Sequence, residues 1–308
     1  MLALFGNVLV AVTKIIAATI TGSSAMVSEA VHSIVDTANE GLLLHGYRRA
    51  RRKPDLIHPL GYGRELYFWS FIVALMVFAL GAGVSIYEGL EHIVSPRRVE
   101  HATVNYIVLA LSFVFEGTSF LTAVRKFKDS RGDQGYWETI HRSKDPPAFM
   151  VLFEDGAALI GILIAAGGIF LSDLLDRPEL DGGASVMIGL VLAGVAIILA
   201  RESKSLLIGE RAAPVLVASA TKLAQEEQGV ACAYGAITIH LAPEQILVAL
   251  SVEFQDQMTA PEIEATVERI EERIRMRHPE IVTLFIKPQT RERFAAWKLD
   301  RFGSVDST

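Results

Sequence analysis

The residues with chemical potential crowd into one apolar stretch, Ser28 to Glu40, which reads Ser-Glu-Ala-Val-His-Ser-Ile-Val-Asp-Thr-Ala-Asn-Glu. His32 and Asp36 are four apart, so on a helix they share a face one turn apart; Glu29 begins that face and Asn39 and Glu40 continue it. An ionisable row inside a membrane span costs several kcal/mol unless it meets a polar interior, a partner or a bound ion. If an ion is the answer, a second helix must supply further ligands. The stretch Phe149 to Gly161 carries Glu154 and Asp155 side by side, about two turns into another apolar run. Gly156, Ala157, Ala158 and Gly161 follow, small enough to let helices approach closely. Three carboxylates and one imidazole suit a divalent cation. The mix is compatible with Zn²⁺ and also with Mn²⁺ or Fe²⁺.

The rest of the chain must position these two stretches. The protein has 308 residues, 51% of them hydrophobic, with a mean hydropathy of +0.36. That is too apolar for an ordinary soluble domain. Six segments are long enough to cross a hydrocarbon core, which needs roughly 20 residues: about 2–20, 25–46, 65–94, 103–124, 148–172 and 184–208. The net charge of −6 is uneven. Arg48, Arg49, Arg51, Arg52 and Lys53 crowd the second loop, and Arg125, Lys126, Lys128, Arg131, Arg142 and Lys144 the fourth. The third loop has only Arg97 and Arg98, and the fifth, Ser172 to Gly183, is acidic. This is a topology signal rather than a nucleic-acid surface; it makes even loops and both termini cytoplasmic. A single cysteine, Cys232, excludes an intramolecular disulfide and a cysteine-cluster metal site. Met1 leads straight into an apolar run without a basic leader, which reads as a retained span.

From about Arg211 the hydrophobic runs shorten. An amphipathic helix over 214–228, strands over 235–241 and 246–254 with a turn at Ala242–Gln245, a charged helix over 261–277 and a strand over 281–286 give the order α-β-β-α-β. The expected architecture is therefore an all-α six-span transmembrane bundle (1–210), a small α+β cytosolic domain (211–290) and a loose polar tail (291–308).

In this order the motifs resemble the cation diffusion facilitator family of divalent-metal/proton antiporters. The resemblance covers about residues 1–290. It rests on the small-residue turn before span two, on His32-Ser-Ile-Val-Asp36, on His58-Pro-Leu-Gly-Tyr-Gly-Arg-Glu65, on Asp155, on Asp181-Gly-Gly-Ala-Ser and on the α-β-β-α-β end. It implies export of a divalent metal from the cytosol in exchange for protons, zinc first, with manganese or iron the alternative. The metal is cargo, and no resident cofactor is implied. His32, Asp36 and Asp155 match the family's transport ligands. The fourth ligand position is Val151, which leaves Glu154, Asn39 or water to take that place; a Glu-Asp pair here looks like the branch that includes mitochondrial zinc transporters. Asp55 and His58 match two ligands of a weak site in the second loop, with Tyr62 where a third would stand. In the cytosolic domain the family's metal positions fall on Tyr234, Ser251 and Ile286, which implies a homodimerising domain without a binuclear centre. Compact size and short loops suit a bacterial inner membrane.

Other readings compete for the same residues. An intramembrane metallohydrolase would use Glu154 as base, although no His-Glu-x-x-His pattern is present. A structural or regulatory membrane dimer would act through the cytosolic domain. His32 and Asp36 could be a polar pair between spans. Glu116 could relay protons or pair with Lys14. His58 could be an ordinary loop histidine. The arginines at 48–52 could serve only topology and headgroup contact. His45, His92 and His101 lie near span ends without an evident role, and Trp69, Trp137 and Trp297 read as packing or interface residues.

Overall fold

The computed structural model describes residues 2–99, 101–131 and 146–303. Six long helices come first: α1 (Leu2–Thr21), α2 (Ser24–Ala50), α3 (Glu65–Val94), α4 (Ala102–Arg131), α5 (Pro146–Leu174) and α6 (Glu179–Ile208). Then come α7 (Pro214–Gln225), strands β1 (Val230–Ala242) and β2 (Gln245–Phe254), α8 (Ala260–Arg277), β3 (Ile281–Pro288) and α9 (Arg291–Phe302). The chain divides into two compact units. One comprises the residues up to Arg52 with Arg64–Ser205; the other comprises Lys53–Gly63 with the residues from Leu206 onward.

In the helical unit, α3 to α6 each contain a stretch long and apolar enough to cross a membrane. In α1 the apolar stretch among the residues with described side chains is Gly6–Thr21, and α2 has length but carries Glu29, Asp36 and Glu40 within it. Large apolar side chains point outward along these helices, among them Leu9, Ile16, Leu111, Leu163 and Leu190. Such a surface is at home in lipid rather than water. Small residues fill the inside: Ala17, Ala25, Ala157, Ala165 and Ala184 pack with Met26, Leu109, Ile162, Ile188 and Leu192. The backbones of α3 and α6 approach closely. A Cβ on Gly89 would lie 2.6 Å from the Gly182 carbonyl oxygen, and one on Gly182 would lie 2.8 Å from the Gly89 oxygen. Only glycine permits that backbone contact. Midway along α3, Val77–Ala82 widens into a π-helical turn that contains Gly81 and is followed by Gly83.

Several helix ends differ from the sequence reading. The fourth helix runs on to Arg131, so Arg125, Lys126 and Lys128, expected in a loop, lie on it; Arg142, Lys144 and Trp137 fall outside the described residues. The last helix of the unit starts at Glu179, so Asp181 sits in its first turn and not in a loop. Arg48 and Arg49 likewise belong to the last turn of α2. A charge ends an apolar run, but it does not end the backbone hydrogen-bond ladder, and basic residues in a last turn favour the helix dipole.

In the second unit, β1 and β2 pair antiparallel around the Pro243-Glu244 turn, and β2 pairs parallel with β3, giving the order β1-β2-β3. Val248, Leu250 and Val252 of the central strand are fully buried; with Ala220, Ala224, Ile270 and Ile274 of α7 and α8 they form the core. Thr259 and Glu262 cap α8 reciprocally, with Pro261 in the first turn. The strands are longer than their apolar runs suggested. The tail expected to be loose is helical over Arg291–Phe302, with Phe294 stacked on Tyr234 and tilted against Trp297.

Candidate metal transport site

The geometry of α2 is set at its N-terminus. Ser23 adopts an extended conformation and its hydroxyl accepts from the Met26 amide at 3.1 Å. Asp181 of α6 reinforces this cap: Oδ1 accepts from the Ser23 hydroxyl at 2.8 Å and Oδ2 from the Ser24 amide at 2.5 Å. His92 of α3 places Nε2 3.9 Å from the same carboxylate and 3.1 Å from the Arg97 carbonyl oxygen. Ser28 and Ser185 meet at 2.5 Å, and Ser185 donates to the Ser85 carbonyl oxygen. The carboxylate at a helix N-terminus gains from both the amides and the dipole. This fixes the rotation of α2, and therefore where its polar row points. His92 and Asp181 were not singled out as functional from sequence.

Along the row, His32 is 1% exposed and its Nε2 is 3.4 Å from Asp36 Oδ2, without the alignment of a hydrogen bond. Neither ring nitrogen of His32 has a hydrogen-bond partner, nor do Asp36 Oδ1, Asn39 Oδ1 and Glu29 Oε1. From α5, Glu154 accepts from Asn39 Nδ2 at 2.9 Å, which ties α2 to α5. Asp155 accepts from the Ser119 hydroxyl of α4 at 2.7 Å, a partner not foreseen. Asp36 is within electrostatic reach of both Glu154 and Asp155. Among the described residues, no three histidine, cysteine, aspartate or glutamate side chains converge closely enough to hold a metal ion. The structure thus pairs His32 with Asp36, and Glu154 with Asn39. Val151 is 39% exposed and offers no donor.

One expected pairing turns out differently. Lys14, considered for Glu116, instead donates from Nζ to Glu29 Oε2 at 2.9 Å, with both side chains fully buried. Glu116 is buried on α4 without that bond. At the other end of α2, Arg49 donates twice to Glu65 Oε1, Trp69 donates to Glu65 Oε2, and His45 meets the Trp69 ring edge-on. Arg49 and Trp69 therefore tie the end of α2 to the start of α3.

In the second unit, Asp55 and His58 are close but exposed, with Oδ1 3.5 Å from Nδ1. The Tyr62 hydroxyl donates to Asp55 Oδ2 at 2.6 Å, and the amides of Ile57 and His58 donate to Oδ1. Tyr62 first, then these amides, hold the Asp55 carboxyl below the usual carboxylate range. Tyr234 donates to Glu253, a bond that pushes its phenol up to about 12.

An apolar-skinned set of helices that turns an ionisable row inward is the build of a membrane protein that handles ions. The cation efflux transmembrane domain matches residues 1–208, so the chain belongs to the cation efflux, or cation diffusion facilitator, family, whose members are transporters and not enzymes. It is 31% identical over 247 residues to the mitochondrial proton-coupled zinc antiporter SLC30A9 of Xenopus laevis, covering 80% of this chain and 44% of that protein. The human SLC30A9 antiporter gives the same identity and coverage. Metal tolerance protein C4 of Arabidopsis thaliana is 31% identical over 240 residues, 77% of this chain and 52% of that protein. The chain spans about half the length of the curated relatives it matches.

Proposed function

We propose that this chain exports a divalent metal cation, zinc first, from the cytosol in exchange for protons. One observation carries the reading. Of the eleven buried side-chain polar atoms without a hydrogen-bond partner among the described residues, seven lie on α2, and they include both nitrogens of His32. Buried polar groups are ordinarily paired. A helix that gathers orphans at each turn, in a family of cation transporters, is built to pair them with a cargo.

In this proposal His32 and Asp36 bind the metal from α2, Asp155 and Glu154 from α5, and Asn39 holds Glu154 toward the row. Binding needs a neutral imidazole and ionised carboxylates, so loading releases protons and reprotonation from the far side expels the metal. Rocking of α2 and α5 against their neighbours gives alternating access. The polypeptide crosses the membrane six times, with α1 and α2 as spans and both termini cytoplasmic, in a bacterial inner membrane. It works as a homodimer through the second unit, and Asp55 with His58 forms at most a weak secondary site. The Glu154-Asp155 pair favours the branch of the mitochondrial relatives, and its oxygen-rich side leaves Mn²⁺ or Fe²⁺ efflux as the second reading.

The test is metal flux in proteoliposomes under a pH gradient, with Zn²⁺, Mn²⁺ and Fe²⁺ compared. Wild type moves zinc against protons, and Asp155→Ala abolishes flux while the protein still elutes as a folded oligomer. Retained flux in that variant would overturn the site, and absence of flux with every metal would overturn the transporter.

A further inference from the structure

Lys14 is the only charged residue of α1, and among the described residues it is the only buried lysine or arginine. The buried acids Glu29, Glu116, Glu154 and Asp181 of the helical unit outnumber it. A lysine placed fully inside a membrane-facing helix set needs a reason. Its ammonium sits 2.9 Å from Glu29 Oε2. Glu29 stands three residues before His32, on the same face of α2 as the proposed ligands. Its second oxygen, Oε1, has no hydrogen-bond partner and faces Gly161 of α5, at a position where any Cβ would collide with it. Three helices thus converge on one carboxylate: α1 neutralises it, α2 carries it and α5 makes room for it.

Without Lys14, Glu29 would be an uncompensated buried charge one turn from the ligand row. Such a charge cannot stay unpaired in a low-dielectric interior; it is resolved by a proton or by a cation. A metal arriving at His32 is the nearest cation. We infer that Lys14 is a specificity-determining residue: it holds Glu29 out of the ligand set, so that the α2 half of the site offers one imidazole nitrogen and one carboxylate and not a second hard oxygen donor. That donor set favours zinc, whereas an added carboxylate shifts preference toward the oxygen-loving Mn²⁺. The inference rests on the proposed transport site and names a selectivity device within it.

The experiment measures the Mn²⁺-to-Zn²⁺ flux ratio of the full chain in proteoliposomes for wild type, Lys14→Met, Lys14→Gln, Lys14→Arg and the double variant Lys14→Met/Glu29→Gln. Lys14→Met and Lys14→Gln lose zinc flux by about tenfold or more, as breaking one side of a buried pair does, and their ratio moves toward manganese. Lys14→Arg retains the charge and keeps the wild-type ratio. The double variant removes both charges and returns the ratio to the wild-type value. A folded uncharged variant with the wild-type ratio overturns the inference, and so does a double variant that keeps the manganese shift. If both uncharged variants misfold, the pair is a structural tie and the selectivity assignment falls. Asp36→Ala separates the two levels: flux retained there refutes the transport site and the inference with it, whereas flux lost there beside a wild-type ratio in the uncharged Lys14 variants refutes the role of Lys14 alone.

Discussion

Asp181 offers a stringent check on how α2 is aimed, because its partners lie more than 150 residues away in sequence. In Asp181→Asn the side chain keeps its shape. One oxygen survives, so either the Ser23 hydroxyl or the Ser24 amide keeps its acceptor, and the other meets an NH₂ group. The variant loses one charge-assisted hydrogen bond, about 1.5–3 kcal/mol, and leaves a buried donor facing another donor. It also forfeits the favourable charge at the α2 N-terminus, about 0.3–1 kcal/mol. A loss of about 3 kcal/mol is expected, which for a unit of this size lowers the unfolding midpoint by about 6–12 °C. Ser23→Ala removes only the hydroxyl cap on Met26 and one donor to Asp181, so it should cost about 1 kcal/mol. The assay is thermal unfolding of the detergent-solubilised protein, followed by loss of the monodisperse peak in size exclusion. An Asp181→Asn protein as stable as wild type, or less perturbed than Ser23→Ala, would refute the idea that this carboxylate sets the N-terminal end of α2.

Two further outcomes follow from the geometry. Gly89→Ala drives a methyl group into the Gly182 backbone, an obstruction that no side-chain rotation relieves, and should cost about 1–3 kcal/mol; a midpoint unchanged in the same thermal assay would contradict the close α3–α6 approach. Arg269 first, with Arg273, holds the Glu227 carboxyl below its usual range through bonds of 2.7 and 3.0 Å. A depressed folded-state pKa means that the stabilisation is present above the unfolded value, about 4.3, and fades as pH falls through the folded value. Hydrogen exchange at β2 should therefore accelerate on acidification below about pH 4, and Glu227→Gln should flatten that acid limb; an unaltered limb in the variant would show that another carboxylate governs it.

The helical framework and the two charged stretches were legible because a carboxylate or imidazole inside an apolar run is conspicuous against the cost of burying it. His32, Asp36, Glu154 and Asp155 announce themselves that way. Their partners do not. Lys14 had two acids within plausible reach, Glu29 and Glu116, and only the rotation of α1 about its axis decides between them. Ser119 is one of many hydroxyls on apolar helices, and nothing local marks it as the donor to Asp155. Asp181 looked like a loop residue because acidic residues surround it, although a helix N-terminus welcomes those same charges. The final helix was hidden by its charge density; the Phe294, Trp297 and Phe302 positions that organise it make sense only once Tyr234 is beside them.

The polar inventory of the helical unit separates into two kinds of ground. Toward the start of α2 every ionisable group is paired: Asp181 with Ser23 and the backbone, beside Ser28 with Ser185 and Thr21 with Asn105 at 2.9 Å, and the atoms left over there, Ser24 Oγ, Ser85 Oγ and Asn105 Nδ2, are all uncharged. From Glu29 to Asn39 the same helix leaves an oxygen or nitrogen unpaired at Glu29, His32, Ser33, Asp36 and Asn39. If α2 were only a structural span, selection for stability would act on both regions alike, since each unpaired buried group costs about 1–3 kcal/mol. The difference fits the proposed transporter, in which stability is concentrated at the end that holds the helix in place and the unpaired stretch is where the cargo would complete its coordination. A rigid anchor followed by an unsatisfied row lets a metal lower the energy of the site without having to order the helix that presents it.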